Sequence, residues 1–508
     1  MADPADDFAA RSGRFVEWFK SIEGTSLSDK ISLVDLRSEG AGRGVIARED
    51  IPVNEVLFRV PRSMVLEAPD IVVHPTGEKR CQVLTISAHR NHGNDAGLTS
   101  VLICLEGQGS WLPLIVTIIH EYLKGEESYW YPYFQVLPTT FNTLMFWNEH
   151  EVAELQASAV VKKIGKSEVE KEWKQKIIMP MLAQPLAFPL EEVEEEAKIA
   201  RLTELAHMAA SLISAYSFDL DRDEDDGNKD DGDEDDLRED DEVDPLKGMV
   251  PFADMLNADA DLNNARLSQE DDNLVMYTIR PVKAGEQLYN DYGELPRSEL
   301  LRCYGYITPN YAQYDVAELA HDLLVELAGL EDPKNNEAWR RAVARLDDKE
   351  VLDDGYSIYL RSPVGGPDAY VPEDLRTVLR ALTTFTASGF SKFKVGQAMT
   401  KEEATLLSAA ASRRLSEYAT TLEEDRRISA QSPVALPNEH VQASRYTAAV
   451  VVRQSEKEIL QLLIDRCAAH LTQLQAESQA TARESQKKRK LGDDQHRSRK
   501  AVKANGHR

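Results

Sequence analysis

The sequence predicts an α+β protein whose first part contains strands and whose second part is helical. Residues 248–307 contain runs rich in strand formers that are separated by turn residues. Residues 98–215 read as mostly helical, and amphipathic helical patterns follow one another from about Tyr314 to residue 474. A chain of 508 residues with 42% hydrophobic residues is long enough for two or three domains.

The N-terminal part predicts a helix, a glycine-rich turn and a strand. An amphipathic helix is expected over residues 8–22, with Phe15 and Phe19 on its apolar face. Residues 38–47 contain three glycines and precede a strand at Val56–Pro61. No helix follows these glycines directly, so they are neither a dinucleotide-binding fingerprint nor a phosphate-binding loop, and a hairpin turn is the ordinary interpretation.

The helical stretch at 98–215 contains an apolar helix at 112–123 and an aromatic run at 128–138 that includes Trp130. It ends in an apolar segment at 212–218 that includes Tyr216. Such aromatic runs are usually part of a core.

The stretch at 248–307 begins with an apolar segment at 249–256. A strand pair is predicted at 274–279 and 287–289, joined by a turn at Gly285, where positive φ is tolerated. The tyrosine-containing segment 289–293 follows.

From the residues alone, two interpretations of this stretch stay open. Tyr292, Tyr304 and Tyr306 could form an aromatic cluster that fills one face of a sheet, and Asn257 could be a turn residue. Alternatively, the tyrosines line a functional site, and the order of the segments favours this second interpretation.

In that order, the stretch resembles the C-terminal half of a SET domain, the S-adenosylmethionine-dependent lysine methyltransferase fold. Residues 254–257 are similar to the family segment with an Asn-His pair, and residues 289–293 to the one with the active-site tyrosine. The amino-acid sequence at 254–259 and 298–306 is most similar to the Rubisco-methyltransferase-like branch, and within it to fungal ribosomal-protein lysine N-methyltransferases. The implied fold is a SET-domain β-fold with a helical insert, followed by an all-helical C-terminal domain.

The resemblance implies roles for individual residues. Tyr292 is the implied catalytic residue, which orients the substrate amine and the methyl group. One departure from the family is Ala258, which stands where most SET domains have histidine. The implied cofactor-binding residues are Ala41, Gly42, Arg43, Asp254, Asn257, Ala258 and Tyr304. The implied substrate-binding residues are Trp130, Tyr216 and Tyr306.

The implied domains are a SET domain at 8–312, a substrate-binding helical domain at 313–480 and a disordered basic tail at 481–508. Within the SET domain, residues 98–215 are the helical insert and residues 219–247 an acidic disordered loop. The four cysteines form no CxxC pair, so we expect neither a metal site nor a disulfide framework. No apolar run reaches 18 residues, so no transmembrane helix is expected.

The charge is unevenly distributed. Residues 219–244 hold 17 acidic residues against three basic ones, which is half of the formal net charge of −28. Such a segment is typically a solvated loop, although it could also attract a basic protein substrate. The tail has basic clusters at 487–490 and 497–500, which favours a nuclear import signal, with a nucleic-acid-contacting arm as the alternative. The localisation expected from this tail is nuclear, with a cytoplasmic pool also compatible.

The resemblance therefore implies a protein-lysine N-methyltransferase that uses S-adenosyl-L-methionine and acts on a basic protein of the large ribosomal subunit. One alternative is a lysine methyltransferase for a nuclear chromatin or transcription protein. Another, suggested by Ala258, is a catalytically weak module that binds S-adenosylmethionine. No membrane partner is expected, and nucleic acid only through the basic tail.

Overall fold

The computed structural model of the chain describes residues 4–39, 41–73, 79–82, 96–221, 246–329, 351–359, 371–388, 398–431 and 435–504, together with residues 340, 343 and 346. It folds into two compact units. The first unit comprises Met1–Trp147, Ile164–Leu295 and Glu299–Asn310, and the second Asn148–Lys163, Pro296–Ser298 and Tyr311–Arg508. The second unit thus takes two short segments, Asn148–Lys163 and Pro296–Ser298, from within the range that the sequence assigns to the SET domain.

The first unit contains a block of strands, a block of helices and a second block of strands, whereas helices dominate the second unit. The α-helices are α1 (Pro4–Ser21), α2 (Ala96–Ile103), α3 (Trp111–Leu123), α4 (Tyr131–Phe134), α5 (Glu149–Ala153), α6 (Lys166–Trp173), α7 (Met179–Leu182), α8 (Glu195–Tyr216), α9 (Arg297–Tyr304), α10 (His321–Leu327), α11 (Glu373–Ser388), α12 (Lys401–Ser416), α13 (Leu422–Ser429) and α14 (Ala443–Ala504). The strands are β1 (Ser26–Leu27), β2 (Ile31–Asp35), β3 (Arg43–Ala47), β4 (Val56–Pro61), β5 (Leu66–Glu67), β6 (Asp70–Val73), β7 (Lys79–Gln82), β8 (Ser217–Leu220), β9 (Leu246–Met249), β10 (Asn257–Ala258), β11 (Ala265–Glu270), β12 (Asn273–Thr278), β13 (Gln287–Asn290), β14 (Val316–Ala320) and β15 (Gly355–Tyr359).

The first unit is built from several small sheets. Strands β1, β4, β12 and β11 form one sheet in that order, and β10, β13, β3 and β2 form another. Strands β5, β9 and β8 make a third sheet, and β6 pairs with β7. The predicted strands β4, β12 and β13 are present, but the expected pairing of β12 with β13 is wrong, because each belongs to a different sheet.

Helix α1 packs its apolar face into the hydrophobic core of the first unit. Phe15 and Phe19 are fully buried, and both rings lie within 6.0 Å of the Phe252 ring. Their spacing of four residues places both on one face of the helix. Burial of two such side chains stabilises the fold by roughly 3 to 6 kcal/mol and fixes the helix beside the segment that leads to Asp254.

The insert predicted at 98–215 is helical, as expected. Helices α3 and α8 are its longest regular elements, and α3 is buried on most of its surface, as its continuous apolar sequence requires. The insert ends where α8 is followed directly by β8, so Tyr216 is the last residue of the helix and Ser217 the first of the strand.

The second unit is mainly helical, which confirms the predicted class of the C-terminal region in its main feature. This unit also contains two strands that were not predicted. Val316–Ala320 forms β14, which pairs antiparallel with β15, whereas a helix at 316–330 was predicted. The helix predicted at 401–424 is two helices, α12 and α13, because Thr421 caps the second with a capping box. A further predicted helix at 336–346 lies almost wholly outside the described residues.

Helix α14 is longer than predicted. A helix was expected at 441–474, followed by a disordered tail from residue 481, but α14 runs without a break to Ala504. The tail prediction is therefore wrong for 481–504, since this polar sequence contains no proline and only one glycine to end the helix. Most of the acidic loop, residues 222–245, lies outside the described residues, and β8 and β9 flank it as an antiparallel pair.

None of the helices in the described part of the chain has the length and apolar character that a membrane crossing requires. Across the same described residues, no group of three or more histidine, cysteine or acidic side chains is arranged to hold a metal ion.

Candidate active site

Three neighbouring strands bring the sequence segments of the predicted site together. Strand β10 runs parallel to β13, with Asn257 opposite Tyr289, and β13 runs antiparallel to β3, with Leu288 opposite Val45. Neighbouring strands lie about 4.8 Å apart. The glycine-rich turn before β3, the segment at Asn257 and the tyrosine segment after β13 therefore meet at one end of this sheet.

Tyr292 lies just beyond β13, in a cluster of aromatic rings. Its ring stacks on that of Tyr304, with the centroids 4.2 Å apart and the planes 14° from parallel. Tyr306 makes an edge contact with Tyr304 at 6.5 Å. Gly293 has a φ of +78°, which lets the chain turn away directly after the tyrosine, and its amide donates to Asp291 Oδ1 at 2.8 Å.

The surroundings keep the Tyr292 hydroxyl protonated. Burial raises the pKa of Tyr292 well above its ordinary value, and the neighbouring Tyr306, Tyr216 and Tyr304 hydroxyls and the Asp254 carboxyl add to this effect. At neutral pH the group is a neutral phenol, which both donates and accepts hydrogen bonds. It suits the orientation of a substrate group and is poorly suited to act as an anionic base.

Asp254 is a buried carboxyl group close enough to Tyr292 and Tyr216 to affect their pKa values. It is 7% exposed, and its Oδ2 accepts a short hydrogen bond from the Tyr133 hydroxyl. Its Oδ1 has no hydrogen-bond partner of normal geometry among the described residues. Burial raises the pKa of Asp254 to about 7, although the Tyr133 hydrogen bond opposes the shift.

The backbone that leads into Asp254 has an unusual conformation. Phe252 has a φ of +76°, which is rare for a bulky residue. Its ring is fully buried, with centroids 5.2 Å from Phe19 and 5.0 Å from Phe58. Packing of this ring thus holds the chain in a turn that points Asp254 inward.

The side chain of Arg43 points away from the sheet end. Its Nε donates to Ser12 Oγ at 3.0 Å and its Nη1 to the Val136 carbonyl at 2.7 Å, and the guanidinium lies 3.8 Å from the Phe8 ring centroid. Burial, and then the charge of Arg11, lower the pKa of Arg43 to about 10. The groups that Arg43 presents towards Asn257 are those of its main chain, whose carbonyl accepts from Asn257 Nδ2 at 3.2 Å.

The three residues predicted to bind substrate occupy different environments. Tyr216 is at the C-terminal end of α8, and burial and the Asp254 charge raise its pKa to about 12. Tyr306 is 38% exposed at the edge of the cluster. Trp130 is 5% exposed and packs against Trp18 and Tyr133, within the aromatic core around α1. A substrate contact of Trp130 stays a prediction, and its packing supports a core role.

Sequence reasoning missed Tyr133, the partner of Asp254. The residue lies within the predicted aromatic run at 128–138, where alternating rings give no signal that one hydroxyl has a special partner. The link between residues 133 and 254 is a tertiary contact, which no local pattern encodes.

Among the other predicted cofactor-binding residues, Ala41 and Gly42 lie in the turn before β3, closed by the Ala41 amide to the Leu36 carbonyl at 3.2 Å. Ala258 pairs with Asn290 across the parallel ladder. Tyr304 is brought to Tyr292 by the stacking contact. The predicted cofactor residues of the three segments therefore converge, with the exception of the Arg43 side chain.

Residues 42–293 match the SET domain family, and residues 369–460 match the family described as Rubisco LSMT substrate-binding. The chain is 32% identical over 370 residues to ribosomal lysine N-methyltransferase 4 of Saccharomyces cerevisiae, which covers 70% of this chain and 69% of the relative. It is 27% identical over 463 residues to human N-lysine methyltransferase SETD6, which covers 84% of each.

Solved structures share the fold. The SET domain of LSMT bound to lysine and AdoHcy is similar with a TM-score of 0.62 at 20% identity, over 91% of each chain. Rubisco LSMT bound to AdoMet is similar with a TM-score of 0.59 at 19% identity, over 91% of this chain and 93% of the other.

Proposed function

The chain belongs to the SET-domain protein-lysine N-methyltransferases, and from this premise we propose that its substrate is a protein of the large ribosomal subunit. The family and the enzyme class predicted from the sequence are thereby confirmed. The methyl donor is S-adenosyl-L-methionine, and the substrate is a protein lysine.

The residues at the sheet end fit this donor chemically. The donor carries positive charge at its sulfonium and at its amino group, and uncharged rings and hydrogen-bond acceptors suit these two groups better than a cationic side chain would. The Arg43 guanidinium is engaged by Ser12 and Val136, which leaves the main chain at 41–43, the Asn257 amide and the Tyr304 ring as the groups that would hold the donor.

When bound, S-adenosylmethionine supplies an electrophilic methyl group to the site. The task that remains for the protein is to present a lysine amine in its neutral form and in line with that methyl group. A lysine has an ordinary pKa of ~10.4, so most of it is protonated at neutral pH. Burial among the Tyr292, Tyr304 and Tyr306 rings lowers this pKa, because removal of water disfavours the ammonium form.

Tyr292 carries the orienting role in this proposal. Its hydroxyl stays neutral, so it accepts or donates a hydrogen bond without drawing a proton from solvent. Its stacking on Tyr304 fixes the ring, and a fixed partner that holds the amine in line supplies a large part of the rate enhancement.

Two observations support a basic ribosomal protein as the substrate. The Saccharomyces cerevisiae relative, at 32% identity, is named a ribosomal lysine methyltransferase. The chain itself has a formal net charge of −28, which attracts a strongly basic partner over a distance. The single observation that carries the proposal is the likeness to the yeast enzyme.

The test is a methyl-transfer assay with purified protein and S-adenosylmethionine that carries a labelled methyl group. Separated large-subunit proteins, small-subunit proteins, histones and a nuclear extract are offered in parallel. We expect label on a lysine of one large-subunit protein. Label on a small-subunit, histone or other nuclear protein alone would contradict the ribosomal assignment and keep the enzyme class.

We further propose that the protein enters the nucleus through its basic C-terminal segment. The basic clusters at 487–490 and 497–500 support this, and they lie on or beside the last turns of α14. A fluorescent reporter fused to residues 481–508 should concentrate in the nucleus, whereas a fusion with both clusters changed to alanine should not. A cytoplasmic wild-type fusion would contradict the proposal.

A further inference from the structure

The side-chain amide of Asn257 is held by two partners. Its Nδ2 donates to the Arg43 carbonyl at 3.2 Å and to Gln287 Oε1 at 2.6 Å. Among the described residues, none donates a hydrogen bond to its Oδ1, and the side chain is partly exposed. Both N–H groups thus point into the protein, while the amide oxygen remains available.

The chemistry of the partners fixes this orientation. A backbone carbonyl only accepts hydrogen bonds, so the atom that faces Arg43 must be the nitrogen of the amide. Gln287 is oriented in turn, because its Nε2 donates to the Tyr289 hydroxyl at 2.9 Å and leaves its Oε1 to accept from Asn257. The order of donors and acceptors is therefore consistent from Tyr289 through Gln287 to Asn257.

The neighbouring residues leave room for this chain of hydrogen bonds. A Cβ at Gly44 would lie 2.9 Å from Gln287 Oε1 and 3.1 Å from Asn257 Nδ2, so glycine is required where the two side chains meet. Ala258, next to Asn257, has only a methyl group and offers no polar atom that could hold the amide. Gln287, from the adjacent strand β13, is the side chain that supplies this contact.

We propose that Gln287 is a positioning residue for the methyl donor. It holds the Asn257 amide with its oxygen outward, where the oxygen accepts a hydrogen bond from the cationic amino group of the amino-acid end of S-adenosylmethionine. Without Gln287 the Asn257 amide keeps only the longer hydrogen bond to the Arg43 carbonyl at 3.2 Å, and a flipped amide would present its NH₂ group to that cation, which would be repulsive. The inference rests on the methyl-donor site and is independent of which protein receives the methyl group.

The experiment is calorimetric binding without any protein substrate. Two ligands are compared, S-adenosylmethionine and 5′-methylthioadenosine, which lacks the amino-acid end. Gln287→Leu removes both polar atoms at similar volume, whereas Gln287→Glu keeps an oxygen that accepts from Asn257. Thermal unfolding of each variant records whether the fold is retained.

We expect Gln287→Leu to weaken S-adenosylmethionine binding by about tenfold or more, since a hydrogen bond to a charged group loses its fixed partner. Binding of 5′-methylthioadenosine should change less than about twofold, and Gln287→Glu should bind S-adenosylmethionine within about threefold of wild type. Unchanged S-adenosylmethionine binding by Gln287→Leu would overturn the proposal. Equal weakening of both ligands would also overturn it, because it would show a general structural role.

Should Gln287→Leu fail to fold, the binding of the two ligands by Gln287→Glu and Gln287→Met is compared in its place. Methionine fills the space without a strong acceptor. Retained binding in the glutamate variant with a selective loss in the methionine variant supports the proposal, and equal behaviour of the two overturns it. A protein that binds S-adenosylmethionine normally but methylates no ribosomal protein would contradict the proposed substrate and leave the role of Gln287 intact.

Discussion

At the scale of single residues, Tyr292 is the centre of the site. It lies where the end of β13, the turn at Gly293 and the ring of Tyr304 meet, and its hydroxyl is kept in the neutral form. These features support the proposed orienting role, in which loss of the hydroxyl would slow the reaction without unfolding the protein.

We predict that Tyr292→Phe lowers kcat by more than about tenfold, because the ring and its stacking are kept while the orienting hydroxyl is lost. The measurement is steady-state kinetics with labelled methyl donor. Tyr277→Phe is the matched control, since it removes a tyrosine hydroxyl that contacts Glu270 on strand β11, outside the site. Full activity in Tyr292→Phe would remove the residue from this role.

Asp254 leads to a prediction about pH. Its pKa is about 7 in the folded protein and 3.8 in its ordinary state, so the folded state retains a proton that the unfolded state loses between these values. The free energy of unfolding should therefore fall as the pH rises from about 4 to about 7 and stay level above that range. About 4 kcal/mol of unfolding free energy depends on this titration, from the size of the pKa shift.

Asp254→Asn removes this titration. Urea unfolding of wild type and variant at about pH 4.5 and about pH 8 measures it, and the stability of the variant relative to wild type should rise between the two values. Glu456, whose pKa burial also raises to about 7, is present in both proteins and drops out of the comparison. An unchanged difference between the two proteins would contradict the role assigned to Asp254.

Part of the candidate site could be selected from the sequence for a definable reason. Tyr292, Asn257 and Tyr304 lie in segments whose order along the chain carries the family resemblance, so they could be selected without coordinates. Tyr133 and Gln287 could not, because their contacts depend on a partner distant in sequence or on a side-chain orientation. The direction of the Arg43 side chain likewise depends on α1, whose position the local pattern does not specify.

At the scale of elements, the sequence predicted whether most long segments are helix or strand. The predictions were wrong where pairing with a distant strand determines the structure. The β4 range, Val56–Pro61, agrees with the prediction, because the run of strand formers and its final proline are local signals. Residues 316–320 have an apolar pattern that fits helix and strand alike, and pairing with β15 makes them a strand. The predicted β12–β13 pairing is wrong because β12 pairs with β4 and β11, whereas β13 pairs with β3 and β10.

The contact of α13 with α14 is held by a buried group of charges. Asp425 is fully buried and accepts hydrogen bonds from Arg453, Lys457 and Thr420. Arg453 also donates to the carbonyl of Glu154, which belongs to the short segment 148–163 of the same unit. This group therefore ties three separate parts of the sequence into the second unit.

We predict that Asp425→Ala destabilises the protein by about 3 to 5 kcal/mol, because buried Lys457 loses its carboxylate partner and buried Arg453 loses one of two. Denaturant unfolding followed by circular dichroism measures the loss. The matched control is Glu423→Ala, an exposed acidic residue in the same helix, whose cost should be under about 1 kcal/mol. Equal losses in the two variants would contradict a structural role of the buried group.

At the scale of the whole molecule, the charge distribution gives a kinetic prediction. Half of the net charge of −28 lies at 219–244, next to the paired strands β8 and β9. We predict that replacing residues 221–242 by a Gly/Ser linker of equal length lowers kcat/KM for a basic protein by about threefold or more at low salt, with kcat unchanged. The difference should shrink in about 0.5 M salt, where charges are screened over a few ångströms. Equal kcat/KM at low salt would contradict steering.

The division into a SET-domain unit and a mainly helical unit was accessible from the sequence, because a change from strand patterns to helical patterns marks it. The assignment of residues 148–163 to the second unit was not, because it rests on the Glu151, Glu154 and Ser158 contacts with α14. The continuous helix to Ala504 was also missed, since a polar, basic sequence is compatible with both helix and disorder.

The most direct test of the central claim is mass spectrometry of ribosomal proteins from cells of the source organism. Cells that lack the protein are compared with cells that express the wild type or Tyr292→Phe. We predict that one lysine of a large-subunit protein is unmethylated without the protein, methylated with the wild type and unmethylated with Tyr292→Phe. Methylation of every large-subunit protein that is the same in all three strains would contradict it.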